Sequence, residues 1–406
     1  MSWEKVKLGD IADFSNGINF GKDYYGKGIK LIGVSNFGDR FFPEYESLDE
    51  VKEEVVRKND FLKSGDIVFV RSNGNKALVG RCMLIDCPVA PVTYSGFCIR
   101  ARLKDTTKHY PTFWTYHFKN ISFRRVMSGT AVGTNIQNLS QGRLSTYEAI
   151  VPDFHSQLRI ADILSDYDTL IENNQKQIKL LEEAAQRLYK EWFVDLHFPG
   201  YEDVKLVDGL PEGWTKCSIM DNDVFIFSKS KVTPFEGQKL YYATADVTGT
   251  EISGNGKWVT FQNKPSRAAI KPINESVWFA RMSNSYKILC CYGDSSYLSE
   301  TAIISSGFAG FTALKGCFGF VFATIASRWF DKEKNRYATG ATQVSLTNEG
   351  LKKIQVVLPT KGVAEEYSRI VEPYIEKAEQ LKGSIKLLSQ ARDRLLPKLM
   401  SGEIEV

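Results

Sequence analysis

Cysteine is sparse and badly spaced for chemistry in this chain. Seven occur in 406 residues, none in a Cys-x-x-Cys, and Cys290 and Cys291 are adjacent. That excludes a disulfide framework and a zinc site built on paired thiolates. The four histidines, at 109, 117, 155 and 197, are isolated from one another, and no Ser or Cys sits in a nucleophile elbow. No Pro-Pro dipeptide exists, so the Pro-Pro-aromatic loop with which an adenine methyltransferase holds an extruded base is missing. No apolar run approaches the ~20 residues that span a bilayer. The start, Met-Ser-Trp-Glu-Lys, has neither the basic flank nor the apolar stretch of a signal peptide, so a cytoplasmic protein without membrane contact is expected. A strong excess of one charge is absent too: 52 basic residues face 48 acidic ones, a balance that permits nucleic-acid binding without requiring it.

Two near-motifs fail on inspection. Gly21-Lys-Asp-Tyr-Tyr-Gly-Lys-Gly28 approaches a phosphate-binding loop, but Gly28 stands where a magnesium-holding hydroxyl belongs, and Ile29-Lys-Leu-Ile-Gly reads as a strand where a helix must begin. Asp39 with Glu50-Val-Lys52 imitates a metal nuclease, yet the charge-dense Asp49–Glu54 stretch reads as a solvated helix or loop. A non-catalytic chain is expected, with no metal site.

What the chain does have is length, periodicity and repetition. Hydrophobic residues at 43% and charged residues at 25% fit a globular protein of two or three domains. From Gln157 to Phe193, steps of three and four residues land on Ile160, Leu164, Tyr167, Ile171, Asn174, Ile178, Leu181, Ala185, Leu188 and Trp192. This heptad seam predicts a helix of roughly 50 Å that needs a partner helix, with Asn174 as the polar residue that sets register. A second seam runs through Val371, Tyr374, Ala378, Leu381, Ile385, Leu388, Leu395 and Leu399, with Arg392 out of pattern. Pro373 is expected to end or kink a lead-in helix and Pro397 to stop the last one.

The seams also match as sequence. Ile178-Lys-Leu-Leu181 returns as Ile385-Lys-Leu-Leu388, and Ala184, Arg187 and Leu188 return as Ala391, Arg394 and Leu395, all offset by 207 residues. Outside the helices, Trp3 is matched by Trp214, Leu62–Asn73 by Ile273–Asn284, and Ser128–Asn135 by Thr339–Val344. Each half is therefore a variable α+β domain followed by a helix. Strands are expected at 67–70, 97–99, 277–279 and 354–358, and helices at 110–119 and 318–330. The divisions fall at 1–154, 155–200, 201–361 and 362–406.

Within the variable domains, Arg71, Asn73, Asn75 and Lys76 follow a predicted strand, and Arg281, Ser283, Asn284 and Lys287 follow its counterpart. Arginine suits guanine, amides suit adenine, and lysine suits phosphate. The same stretches also read as solvated hairpin loops. A second pair of segments is rich in small and hydroxylated residues: Thr130, Thr134, Asn135 and Gln137 after Arg124 and Arg125, and Thr342 and Gln343 after Arg336. These read either as DNA contacts or as tight turns before the last strand.

Two variable domains, two matching helices, a Thr/Ser-Gly loop before each strand-Pro, and a helix opening Gln157-Leu-Arg-Ile-Ala-Asp-Ile-Leu-Ser-Asp-Tyr-Asp168 together resemble the DNA-specificity subunit of Type I restriction-modification systems. The resemblance implies an α+β fold with a pseudo-twofold internal repeat: two similar mixed α/β target-recognition domains separated by two long antiparallel coiled-coil helices. It implies that each domain reads half of a bipartite DNA target and that the helices set the gap. It also implies two methyltransferase subunits and restriction/translocase subunits as partners. S-adenosylmethionine, ATP and magnesium would sit on those partners, with none bound by this chain. A non-catalytic coiled-coil scaffold whose variable domains bind proteins or glycans is the alternative.

Overall fold

A computed structural model of the chain describes residues 3–38, 40–73, 78–86, 88, 90–128, 138–293, 298, 301–341 and 343–406. The chain packs into two compact units, Met1–Leu170 together with Leu388–Val406, and Ile171–Leu387. Packing thus assigns part of each long helix to each unit. No helix among the described residues is long and apolar enough to cross a membrane.

Each unit repeats one topology. In the first, Trp3–Lys7 pairs antiparallel with Glu148–Pro152, as Thr215–Ser218 pairs with Gln355–Leu358 in the second. A four-stranded antiparallel sheet follows, ordered Ala12–Asn16, Cys98–Leu103, Ile67–Val70, Cys82–Leu84. Its counterpart is Phe225–Phe227, Phe308–Ala313, Ser276–Ala280, Ile288–Cys291. A smaller sheet then joins Tyr25–Ile32 in parallel with Val92–Tyr94, or Lys239–Tyr242 in parallel with Ala302–Ser305.

The central strands read as unbroken apolar runs because both sheet faces are covered. Ile67 and Phe69 enter one cluster with the helix Pro111–Lys119, while Val68 and Val70 enter another beneath the small sheet. Val277 and Phe279 likewise face one core, and Trp278 and Ala280 the other. Trp278 needs a glycine opposite: a Cβ on Gly310 would lie 2.3 Å from the indole. The helix expected at 318–330 is two helices, Phe318–Ala326 and Arg328–Arg336. The break comes from Ser327, whose hydroxyl accepts from the Phe330 N–H as a helix cap. The Asp49–Glu54 stretch also differs from expectation. Asp49–Val51 is a strand, with Glu50 accepting from the Gly28 N–H and pairing with Lys30.

The two long helices are Phe154–Phe193 and Lys361–Ser401. In the first unit Ile160, Ala161 and Leu164 share a core with Leu399 and Met400, with Leu395 packed against it. The out-of-pattern Arg392 pairs there with Asp168, which also accepts from the Tyr116 hydroxyl at 2.6 Å. In the second unit Ile178 meets Ala378 and Leu381, flanked by Leu181 and Ile385, and Leu188 packs against the main core. Both pairings run antiparallel. Asn174 donates to the Ser384 hydroxyl at 3.3 Å, so the seam's polar residue has a polar partner. Ile171 is buried and Leu388 half-buried. The central helix ends at Phe193, short of 200. The C-terminal helix runs through both Pro373 and Pro397 without interruption. Val371 and Ile375, buried on either side of Pro373, hold that turn in place, so packing outweighs the lost hydrogen bond.

One buried group gives the first unit a pH dependence. His117 lies among Phe113, Trp114, Phe118, Phe123 and Tyr147, and burial pushes its imidazole down to about 4. An unfolded histidine titrates near ~6.5, so between these values the folded chain binds fewer protons. Stability is complete above the unfolded value and falls as pH drops toward the folded one, by about 3 kcal/mol. Urea melts at about pH 7.5 and about pH 4.5 check this. The difference between the two is expected to shrink in His117→Phe, and an unchanged difference would contradict the assignment.

Candidate nucleic-acid interface

In the first unit the strand Ile67–Val70 delivers Arg71 to a junction of three segments. The Arg71 N–H donates to the Phe97 carbonyl at 2.8 Å, and the Leu139 N–H donates to the Arg71 carbonyl at 2.8 Å. One guanidinium nitrogen of Arg71 donates to the Gly96 carbonyl at 3.1 Å, and Ser72 forms a bridge to Asn138. The second unit builds the same junction. The Arg281 N–H donates to the Gly307 carbonyl at 2.9 Å, and the Leu346 N–H donates to the Arg281 carbonyl at 2.8 Å. Met282 bridges Ser345. Two sequence segments that were candidates separately, the post-strand loop and the segment before the last strand, therefore meet in each unit.

The arginines are partly spent on this junction. Arg281 donates through both terminal nitrogens, to the Leu346 carbonyl and to Asn348 Oδ1, each at 2.8 Å. Burial lowers its pKa somewhat. A guanidinium remains charged in such a site, and its outer edge keeps donors for a ligand. Arg71 makes the single contact to Gly96 noted above and is half-buried.

Around Arg281 the loop is held from the helix Arg328–Arg336. Asn335 Oδ1 accepts from the Asn284 N–H at 2.9 Å and contacts the Ser283 hydroxyl at 3.4 Å. Asn284 takes φ of 54°, which asparagine tolerates, and its side chain is exposed. Lys334 is buried, with Nζ 2.7 Å from Asp331 and donating to the Ser285 carbonyl at 2.7 Å. It braces the loop and does not face a ligand. Lys287 is half-buried and donates to the Thr244 carbonyl at 2.7 Å. Arg336 is exposed, over the Tyr337 ring and 3.5 Å from Glu333.

Thr339 and Ser345 exchange two backbone bonds of 3.0 Å, closing a tight turn with exposed Gln343 at its tip. A Cβ on Gly340 would lie 2.4 Å from the Gln343 carbonyl, so the turn requires glycine. In the first unit Asn73 follows the junction and is half-buried. Arg124 is half-buried and Arg125 exposed on the helix Ile121–Ser128. Asn75, Lys76, Thr130, Thr134, Asn135, Gln137 and Thr342 lie outside the described residues. Sequence reasoning missed Asn335 and the turn carbonyls of Phe97 and Gly307. These act across long stretches of chain, 51 and 52 positions for Asn335, and no local pattern marks them.

Residues 1–183 match the family described as the Type I restriction modification DNA specificity domain. Over 426 residues the chain is 24% identical to the Type I restriction enzyme MjaIX specificity subunit of Methanocaldococcus jannaschii, covering all of this chain and 94% of that one. It is 21% identical over 483 residues to the HindI specificity subunit of Haemophilus influenzae, with 99% of each covered. In fold it is similar to the crystallised S subunit of a Type-I restriction-modification system from M. genitalium, with TM-score 0.57 and 18% identity over 98% of this chain and 96% of that one. A duplicated strand-end junction, a duplicated helix and likeness along the full length agree: the chain is similar from end to end to Type I restriction enzyme specificity subunits, and its first 183 residues match their DNA-specificity domain.

Proposed function

We propose that each unit reads one half of a bipartite double-stranded DNA target and that the paired helices set the gap between the halves. The observation that carries this is the duplicated junction, in which Arg71 and Arg281 make the same two backbone bonds at the ends of equivalent strands. Each presents an arginine edge beside exposed amides and hydroxyls, the groups that read base edges and bind phosphate.

Methylation and cleavage then belong to other subunits, in the cytoplasm where the DNA is. Leu180 and Leu387 occupy equivalent places in the internal repeat and are 64% and 67% exposed on the long helices. A duplicated apolar contact suits two copies of one partner, here two methyltransferase subunits. Those subunits supply S-adenosylmethionine chemistry to adenine, and restriction/translocase subunits add ATP and magnesium. None of these cofactors is assigned to this chain.

Arg71→Ala tests the reading. With the methyltransferase partner present, the methylated motif is expected to relax in one half only, with a loss of about 1–3 kcal/mol at one base pair. Arg71→Lys keeps the charge without the fork and is expected to relax the same position. Equal loss in both halves would point to misfolding and overturn the assignment.

A further inference from the structure

One segment of the second unit is locally rich in positive charge. Residues 229–271 hold seven Lys and Arg against three Asp and Glu, an excess of four. The corresponding segment of the first unit, residues 17–61, holds seven against nine, with Lys30 paired to Glu50 and Arg40 to Glu44. The repeat therefore duplicates the fold here without duplicating the charge.

The fold gathers this charge beside the reading junction of the second unit. The Ser306 N–H donates to the Arg267 carbonyl at 2.8 Å, and the next residue, Gly307, accepts from the Arg281 N–H. Arg267 is thus two backbone links from Arg281. The Val232 N–H donates to the Ala269 carbonyl at 3.0 Å and the Ser230 hydroxyl to the Lys271 carbonyl at 2.6 Å, which lays Lys229 and Lys231 along the strand Ala268–Ile270 that Arg267 and Lys271 flank. Lys229, Lys231, Arg267 and Lys271 are exposed, and among the described residues none of the four forms an ion pair. Lys239 lies close enough to feel the Lys271 charge. Cations left unpaired side by side cost free energy unless an anion covers them.

We propose that Lys229, Lys231, Arg267 and Lys271 grip the sugar–phosphate backbone of the duplex beside the half-site read by the second unit, independent of sequence. This rests on the DNA-reading function above and adds to it a phosphate contact of the second unit that the equivalent segment of the first, residues 17–61, does not repeat.

The test uses the full chain with its methyltransferase subunits and two labelled duplexes, one carrying the methylated motif and one scrambled. Binding is measured by anisotropy between about 50 and 200 mM KCl. Changing all four residues to Gln is expected to make the slope of log K against log salt shallower by about 0.9 per lost phosphate contact, up to about 3.6. Affinity for both duplexes is expected to fall by the same factor, and the methylated motif to stay the same, which also reports an intact fold. A control with Lys22→Gln and Lys27→Gln in the first unit is expected to keep the wild-type slope. An unchanged slope in the fourfold variant, or a loss confined to the motif-bearing duplex, overturns the proposal while leaving DNA reading intact. A wild-type complex that does not distinguish the two duplexes overturns the reading function itself.

Discussion

Lys382→Ala is expected to cost about 3–5 kcal/mol of stability at about pH 8. In the second unit Lys382 Nζ lies 3.2 Å from Glu182 and 3.0 Å from Glu379, on facing turns of the two long helices. The Lys382 and Glu379 side chains are only 17% and 11% exposed, so removing the ammonium strands two carboxylates in a region of low dielectric. Burial alone would lower the Lys382 pKa, but Glu379 and Glu182 outweigh it and hold the ammonium above its ordinary value. Burial pushes the Glu379 carboxyl above the usual range despite the pull of Lys382. The folded chain therefore takes up a proton on Glu379 more readily than the unfolded chain does. Its contribution falls as pH rises through the raised value, and the deficit of Lys382→Ala is expected to shrink at about pH 5. Replacing all three residues by apolar ones of similar size is expected to recover most of the loss. Denaturant melts of the full chain decide the matter. A single-variant loss below about 1 kcal/mol would mean a solvated pair with little structural weight.

The second large effect concerns specificity. Inserting one heptad into each long helix, after Leu170 and before Leu388, is expected to lengthen the unread gap by about three base pairs while both half-sites stay the same. Seven residues add roughly 10 Å of helix, base pairs are stacked at about 3.4 Å, and a whole heptad keeps the apolar seam in register. Methylation mapping of cells carrying the insertion variant measures the gap. An unchanged gap would remove the helices from any spacing role, whereas loss of all methylation with a normal melt would point to a broken partner dock.

The helices were the most legible part of the sequence, because one-dimensional periodicity maps directly onto a buried face. Ile160, Leu164, Ile171 and Ile178 are all buried, and Asn174 meets Ser384. The strands Ile67–Val70 and Ser276–Ala280 were equally plain, since a run buried on both faces needs no alternation to be seen. Local rules failed where distant packing intervened. Pro373 does not end its helix because Val371 and Ile375 are buried beside it, and the acidic Asp49–Val51 is a strand because Lys30 and Gly28 satisfy Glu50. In the candidate interface, the residue types after each strand were visible. Their division of labour was not. Arg281 proved to brace Leu346 and Asn348 as well as to face outward, and Lys287 to donate to the Thr244 carbonyl.

Mapping of methylated adenines in cells that carry this chain with its methyltransferase partner tests the bipartite reading most directly. Two short specified blocks separated by a fixed unspecified gap are the expected result, with Arg71→Ala relaxing one block alone. A continuous motif, or methylation without sequence preference, would contradict the assignment of one half-site to each unit.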